Sequence, residues 1–205
     1  MPDIWPAIVQ DRVETRSVEY KGPAPWTRLR HKIKRTAIAL ANTEDGGHIV
    51  IGLRAVNGIY VLQGLTKKMR ASYSDIESLQ GQVSACASPP LQVTVRLLED
   101  DERCFAVFSI LGIQTIPHIS TQTELPGRQG ITRGVVYMRT EKPATVPCDQ
   151  FQWEALMNSV ETHMASRFLS KMRLVGCGMH FAPQAGQRLE DVEKQFRQER
   201  GENEQ

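Results

Sequence analysis

Arg28, His31, Lys32 and Arg35 follow one another at spacings of three and four residues, which stacks side chains on one side of an α-helix. Cations in such a row neutralise successive phosphates of a polyanion and release its counterions. Arg30 falls on the shoulder of that face and Lys34 on its flank. The plain alternative is a solvated helix face. More cations occur at Lys67, Lys68 and Arg70, and at Arg128, Arg133 and Arg139. The formal net charge is only +2, from 25 Lys and Arg against 23 Asp and Glu, so distribution rather than total must carry the argument. Nothing in the sequence signals base reading, so contact with the sugar-phosphate backbone is the expected mode. At 6% aromatic residues the chain does not suggest a base-stacking or carbohydrate-stacking platform.

Other reactive side chains are less organised. His118 follows Pro117 in a polar loop without a Ser, Cys or Asp companion. It is expected to be structural or to contact nucleic acid rather than to act as a general base. His48 belongs beside the strand pack. Cys86, Cys104, Cys148 and Cys177 form no CxxC pair and have no histidine at metal spacing, which argues against zinc. They are expected to be reduced, mostly buried thiols of a cytoplasmic protein. The first ten residues have neither a cationic start nor a signal-length apolar run. No stretch approaches the roughly 20 apolar residues of a membrane span.

The elements that must position these groups follow from pattern. Residues 12–21 alternate loosely and suggest a half-buried strand. After the breaker 22–25, residues 26–41 place Leu29, Ile33, Ala37 and Leu40 on one helical face, opposite the cations. Residues 42–47 turn the chain into an apolar, β-branched strand at 48–53. Asn57-Gly58 marks a hairpin whose return strand is 59–62. A helix is expected over 72–87, capped by Ser72 or Ser74, and Pro89-Pro90 ends it. Strands at 91–98 and 104–111 pair around the acidic turn 99–102, a polar loop covers 116–133, and 135–139 is a further strand. Residues 149–173 and 187–200 are expected to be helical. The expectation is an α+β domain over 11–163 and a helical, partly flexible extension over 164–205. Leu189, Val192 and Phe196 are too few for a coiled coil, although a partner or a second copy could dock there.

Several motifs occur together in one order. Glu14 to Lys21 runs acid, four residues, acid, aromatic, lysine. Ala39 to Leu53 runs from a helix end through Asn42-Thr43 and Gly46-Gly47 into an apolar strand with Gly52. Pro117-His118 follows, and then Gly134 to Arg139 with Pro143-Ala144-Thr145. This pattern resembles the Schlafen AlbA-like domain, a nucleic-acid-binding class, over about residues 11–151. The resemblance implies an AlbA-like mixed sheet with packed helices, and basic residues lining one groove. It also implies that Glu14 and Glu19 match two catalytic, metal-holding glutamates of the Schlafen ribonucleases, with magnesium or manganese as cofactor. The third acid of that set should stand about three residues past Gly52, where this chain has Ala55 flanked by Arg54 and Val56. Two glutamates make a poor site for a hard cation. Without a GxxxxGK[ST] motif, the older ATP-binding description of the family has no support here.

The sequence therefore points to a DNA- or RNA-binding protein that contacts phosphates through Arg16, Lys21, Arg28, His31, Lys32, Arg35, Lys67, Lys68 and Arg139, without catalysis. Two alternatives stand beside it. One is a metal-dependent ribonuclease built on Glu14 and Glu19. The other is a scaffold subunit docked through its C-terminal helix. Ion pairing of Glu14 and Glu19 with Arg12, Arg16 or Lys21 is the plain reading of those two carboxylates.

Overall fold

The computed structural model describes residue 5 and residues 12–113, 115–125, 130–141 and 143–174. Residues 1–165 form one compact unit and 166–205 a second. Of the second, the described residues are helical. The expected helix at 187–200, its partner-docking role, Cys177 and Arg128 lie outside the described residues.

The first unit is α+β, with a four-stranded sheet in the order β1 (Val18–Lys21), β2 (Gly47–Ile51), β7 (Arg103–Ile110) and β6 (Val93–Asp100). β1 runs parallel to β2, and the other two pairings are antiparallel, so the sheet is mixed. The parallel pair needs a crossover, and α1 (Trp26–Ala41) provides it. Ile49 and Ile51 face α1, where Leu29, Ile33, Ala37 and Leu40 complete the main core. On the opposite side of the sheet, Tyr20, Val50, Phe105 and Val107 form a second core with Leu53. From Thr36 to Ala41 every residue of α1 is buried, because this half is covered on the sheet side and also by the hairpin of β9 (Tyr137–Arg139) and β10 (Thr145–Pro147).

Several elements depart from the sequence expectation. The opening strand is shorter than 12–21, since Thr15 and Val18 close a turn through their backbones and through the Thr15 hydroxyl. The apolar strand breaks at Gly52, and β3 (Leu53–Val56) and β4 (Ile59–Leu62) form a separate ribbon. Asn57 and Gly58 both take positive φ, 51° and 81°, as a two-residue turn of this hand requires. A short helix that was not expected, α2 (Lys67–Ala71), precedes the helix expected over 72–87, which is shortened to α3 (Ile76–Ser84). Thr66 caps the first and Asp75 the second, displacing Ser72 and Ser74 from that role. Within the loop over 116–133, Ile119–Ser120 (β8) pairs with Ala87–Ser88 (β5). The last helix, α4, spans Gln150–Leu174, and its Leu156 and Val160 close a small core with Ile113 and Met138.

Gly52 is where the chain leaves the sheet. Its φ is +122°, and a Cβ there would stand 2.6 Å from the Phe105 ring. Its carbonyl accepts from both Gln63 and Gly64, which pins the return of the ribbon to the point of departure. Gly52→Ala therefore combines backbone strain with a steric clash, and should lower unfolding free energy by about 1–3 kcal/mol in urea titration.

Candidate nucleic-acid interface

Alternation along β1 separates its side chains. Val18 and Tyr20 enter the second core, whereas Glu19 and Lys21 stand in register with Ile49 and Ile51 on the α1 side. Because β1 is an edge strand, those two charged groups reach the rim of the sheet. Glu19 is only 8% exposed, and a buried carboxylate needs partners. Lys21 pairs with its Oε1, and Arg139 Nη1 donates to its Oε2 at 2.6 Å.

Arg139 is 3% exposed. Its Nε donates to the Arg16 carbonyl at 3.2 Å and its Nη2 to the Thr15 carbonyl at 3.0 Å. Nη1 also reaches the Thr145 hydroxyl at 3.4 Å. This guanidinium fastens the entry to β1 onto β9 and β10 and does not present itself to a ligand. Arg35, at the end of the basic row, donates from Nη2 to the Thr145 carbonyl at 2.7 Å and lies 5.1 Å from the Tyr137 ring centre. Thr145 thus joins the basic side of α1 to the rim of the sheet.

The remaining expected contacts fall into three places. Arg28 is exposed and Lys32 half-buried on α1, and neither has a carboxylate in ion-pairing range among the described residues. His31 lies between them, its pKa held below 6.5 by burial and then by the neighbouring Lys32. Arg16, at the sheet entry, pairs with exposed Glu141 at 3.5 Å. It borders a cleft of about 340 Å³ that also holds Glu44 and Asp45, a charge balance unsuited to an anion. Lys67 and Lys68 are exposed on α2, which is tied to the start of α1 by Ser72 accepting from the Trp26 amide and Tyr73 donating to the Ala24 carbonyl.

Two features were not visible in the sequence. Lys34 is 5% exposed and meets Glu124 at 2.5 Å, and Arg30 meets the same carboxylate at 3.3 Å. Glu124 comes from a loop ninety residues later, with no pattern to announce it. Asn42, placed by the sequence in the turn over 42–47, has φ −90° and works at long range. Its amide donates to the carbonyls of His118 and Tyr137 and accepts from the His118 amide at 2.7 Å. The Asn and His of the two separate motifs are therefore one contact.

The carboxylates do not fit the metal that the resemblance implies. Glu14 Oε1 accepts the edge amide of Tyr20 at 2.8 Å. The Tyr60 hydroxyl lies against the same carboxylate, and burial together with that contact raises the phenol's pKa. Ala55, at the place of the expected third acid, is exposed and stands opposite Tyr60 in the ribbon. Glu19 already has two cations. Among the described residues no three His, Cys, Asp or Glu side chains converge on a metal position. His118 is 8% exposed, and its Nδ1 donates to the Pro89 carbonyl at 2.8 Å. His48 bonds to Ser109 at 2.9 Å.

Glu19→Gln would leave the buried guanidinium without its counter-charge, so stability measured in urea should drop by about 3–5 kcal/mol. The paired change with Arg139→Met should recover part of that loss. A pH effect follows from the histidines. Burial lowers the pKa values of His31, His48 and His118 from 6.5, so below that pH the unfolded chain takes up protons more readily than the folded one. The associated stability is present above pH 6.5 and lost as pH falls through the folded values. Urea midpoints between pH 7.5 and 5 should decline accordingly, and less so in His118→Asn.

Among curated proteins none matches the chain. The DIP2311 protein of Corynebacterium diphtheriae is a similar solved structure at 15% identity and TM-score 0.45, with 69% of this chain matched to 23% of that one. The N-terminal domain of an ATP-dependent DNA helicase RecG-related protein from Nitrosomonas europaea is similar at 20% identity and TM-score 0.40, covering 64% of this chain and 86% of that one. The family model described as Schlafen, AlbA_2 matches residues 14–145, well over half of the chain, which therefore belongs to that family.

Proposed function

We propose that the chain is a nucleic-acid-binding module that grips the phosphate backbone through the exposed side of α1, and that it does so without a metal. The observation that carries this reading is the pair of exposed Arg28 and half-buried Lys32, cations four residues apart with no carboxylate in range among the described residues. Ordered phosphates fit such positions, because each neutralised charge releases counterions. Lys67 and Lys68 extend the positive field, Arg16 and Lys21 are paired with Glu141 and Glu19, and Arg35 and Arg139 hold the supporting frame instead of touching the ligand. Membership of the Schlafen AlbA_2 family supports a nucleic-acid partner.

Nothing specific favours the ribonuclease reading. Its two glutamates are each taken up by donors of the same chain, and phosphodiester cleavage with a hard cation needs oxygen ligands that are free to bind it.

Charge reversal at Arg28 and Lys32 should weaken binding to every sequence alike and flatten the dependence of log K on log salt by about one unit for each phosphate contact removed. Fluorescence anisotropy from 50 to 300 mM salt measures this. An unchanged slope and affinity would remove α1 from the interface.

A further inference from the structure

The ribbon of β3 and β4 has no part in the contacts described so far, although its root adjoins them: the Gly52 amide donates to the Lys21 carbonyl at 2.9 Å. One side of the ribbon, Leu53, Tyr60 and Leu62, packs on the second core. The other side consists of the register pairs Arg54 with Val61 and Val56 with Ile59, and it is exposed. Ile59 is 65% accessible and Val56 46%. Three aliphatic side chains in water on a narrow projection suggest a surface that is covered when the protein works.

Charge indicates what covers it. No Asp or Glu occurs between Asp45 and Asp75, whereas Arg54, Lys67 and Lys68 do; Arg70 also lies there but is paired with Glu99 at 2.7 Å. Arg54 has no ion pair among the described residues. An acid-free, cationic segment suits a polyanion and would meet a basic partner poorly. The apolar residues are aliphatic, which suits contact with thymine methyl groups and sugar edges rather than the aromatic stacking used on single strands. Strands of four residues extend about 13 Å. The major groove of B-form DNA is about 12 Å wide and about 8.5 Å deep and admits a two-stranded ribbon, while that of A-form RNA is too narrow for side chains to read.

We infer that the β3–β4 ribbon enters the major groove of duplex DNA, with Arg54 and the Val56–Ile59 tip against the base edges. This rests on the nucleic-acid reading above and adds the ligand's class and the element that selects it.

The test uses the full chain, a 20-base-pair DNA duplex, the matching single strand and the matching RNA duplex. Ile59→Asp and Arg54→Glu alter solvent-facing side chains, and circular dichroism with thermal melting confirms that both variants fold. Each is expected to bind the DNA duplex about tenfold more weakly, with less than a twofold change for the other two ligands. In the wild type, guanine N7 atoms should be protected from dimethyl sulfate, and Ile59→Asp should lose that protection. Full duplex affinity and N7 protection in Ile59→Asp would overturn the inference while leaving the α1 reading intact, provided that charge reversal on α1 still weakens binding. If the wild type binds no nucleic acid at low salt, the α1 reading fails and this one with it. Unaltered DNA binding in Ile59→Asp together with a change in its sedimentation would assign the ribbon to protein contact and also overturn the proposal.

Discussion

Arg139 brings a permanent positive charge into a position almost closed to water, and an isolated ion there would carry a desolvation penalty of several kcal/mol. What makes the position tolerable is that β1 arrives with Glu19 on the correct side of the sheet and with the carbonyls of Thr15 and Arg16 turned toward the guanidinium. The entry to the first strand and the β9–β10 hairpin, some 120 residues apart, thereby fix one another. A hydrophobic replacement could pack as well, but it would not discriminate between registers. The planar fork matches several acceptors in set directions, and shifting β1 by one residue would turn Glu19 to the other face.

The rest of the candidate interface hangs on that arrangement. With β10 held, the Thr145 carbonyl is in place for Arg35, and the cationic end of α1 is fixed against the Tyr137 ring. Asn42 performs the same service about two turns further along, joining the end of α1 to the backbone of His118 and Tyr137. A polar side chain buried with three backbone partners specifies a unique packing, since its amide has no equally good alternative. The residues that give this family its sequence pattern are, in this chain, largely those that lock α1, β1 and β9 together.

That explains which parts could be read from the sequence. Residues 26–41 carry helical spacing over sixteen positions, and the helix occupies those positions. The Asn57-Gly58 turn and the pairing of the two long strands were equally legible, because each depends on neighbours in the chain. Gly52 stands inside the strand expected at 48–53, but the parting of β3 from the sheet depends on Phe105 across the core. Arg139 and Arg35 look like any surface arginines, because nothing local indicates that distant carbonyls and a carboxylate will surround them. Glu124 is the clearest case: it neutralises part of the α1 charge from a loop with no periodic signal. Types and spacing locate cations well. They do not say which ones the fold consumes.

Consumption does not abolish the charge asymmetry, however. The Glu19 cluster sets Lys21 and Arg139 against one carboxylate, and the Glu124 cluster sets Arg30 and Lys34 against another. Each keeps one net positive charge. With Arg28, Lys32 and Arg35 added, and Glu14 counted beside Glu19, this region has seven cations and three carboxylates, a net of +4, so the remainder of the chain carries −2 against the total of +2. A mildly basic protein is thus strongly polar in charge. Interactions between separated exposed charges fade over about 8 Å at physiological salt, so a polyanion close to α1 senses the local excess and little of the distant acid. On the proposed reading, only the solvent-facing members of that set displace counterions. The structural pairs supply a fixed field that salt screens less because it is partly buried. Binding of this kind keeps a residual affinity at salt concentrations where a surface of mobile lysines would have lost its hold.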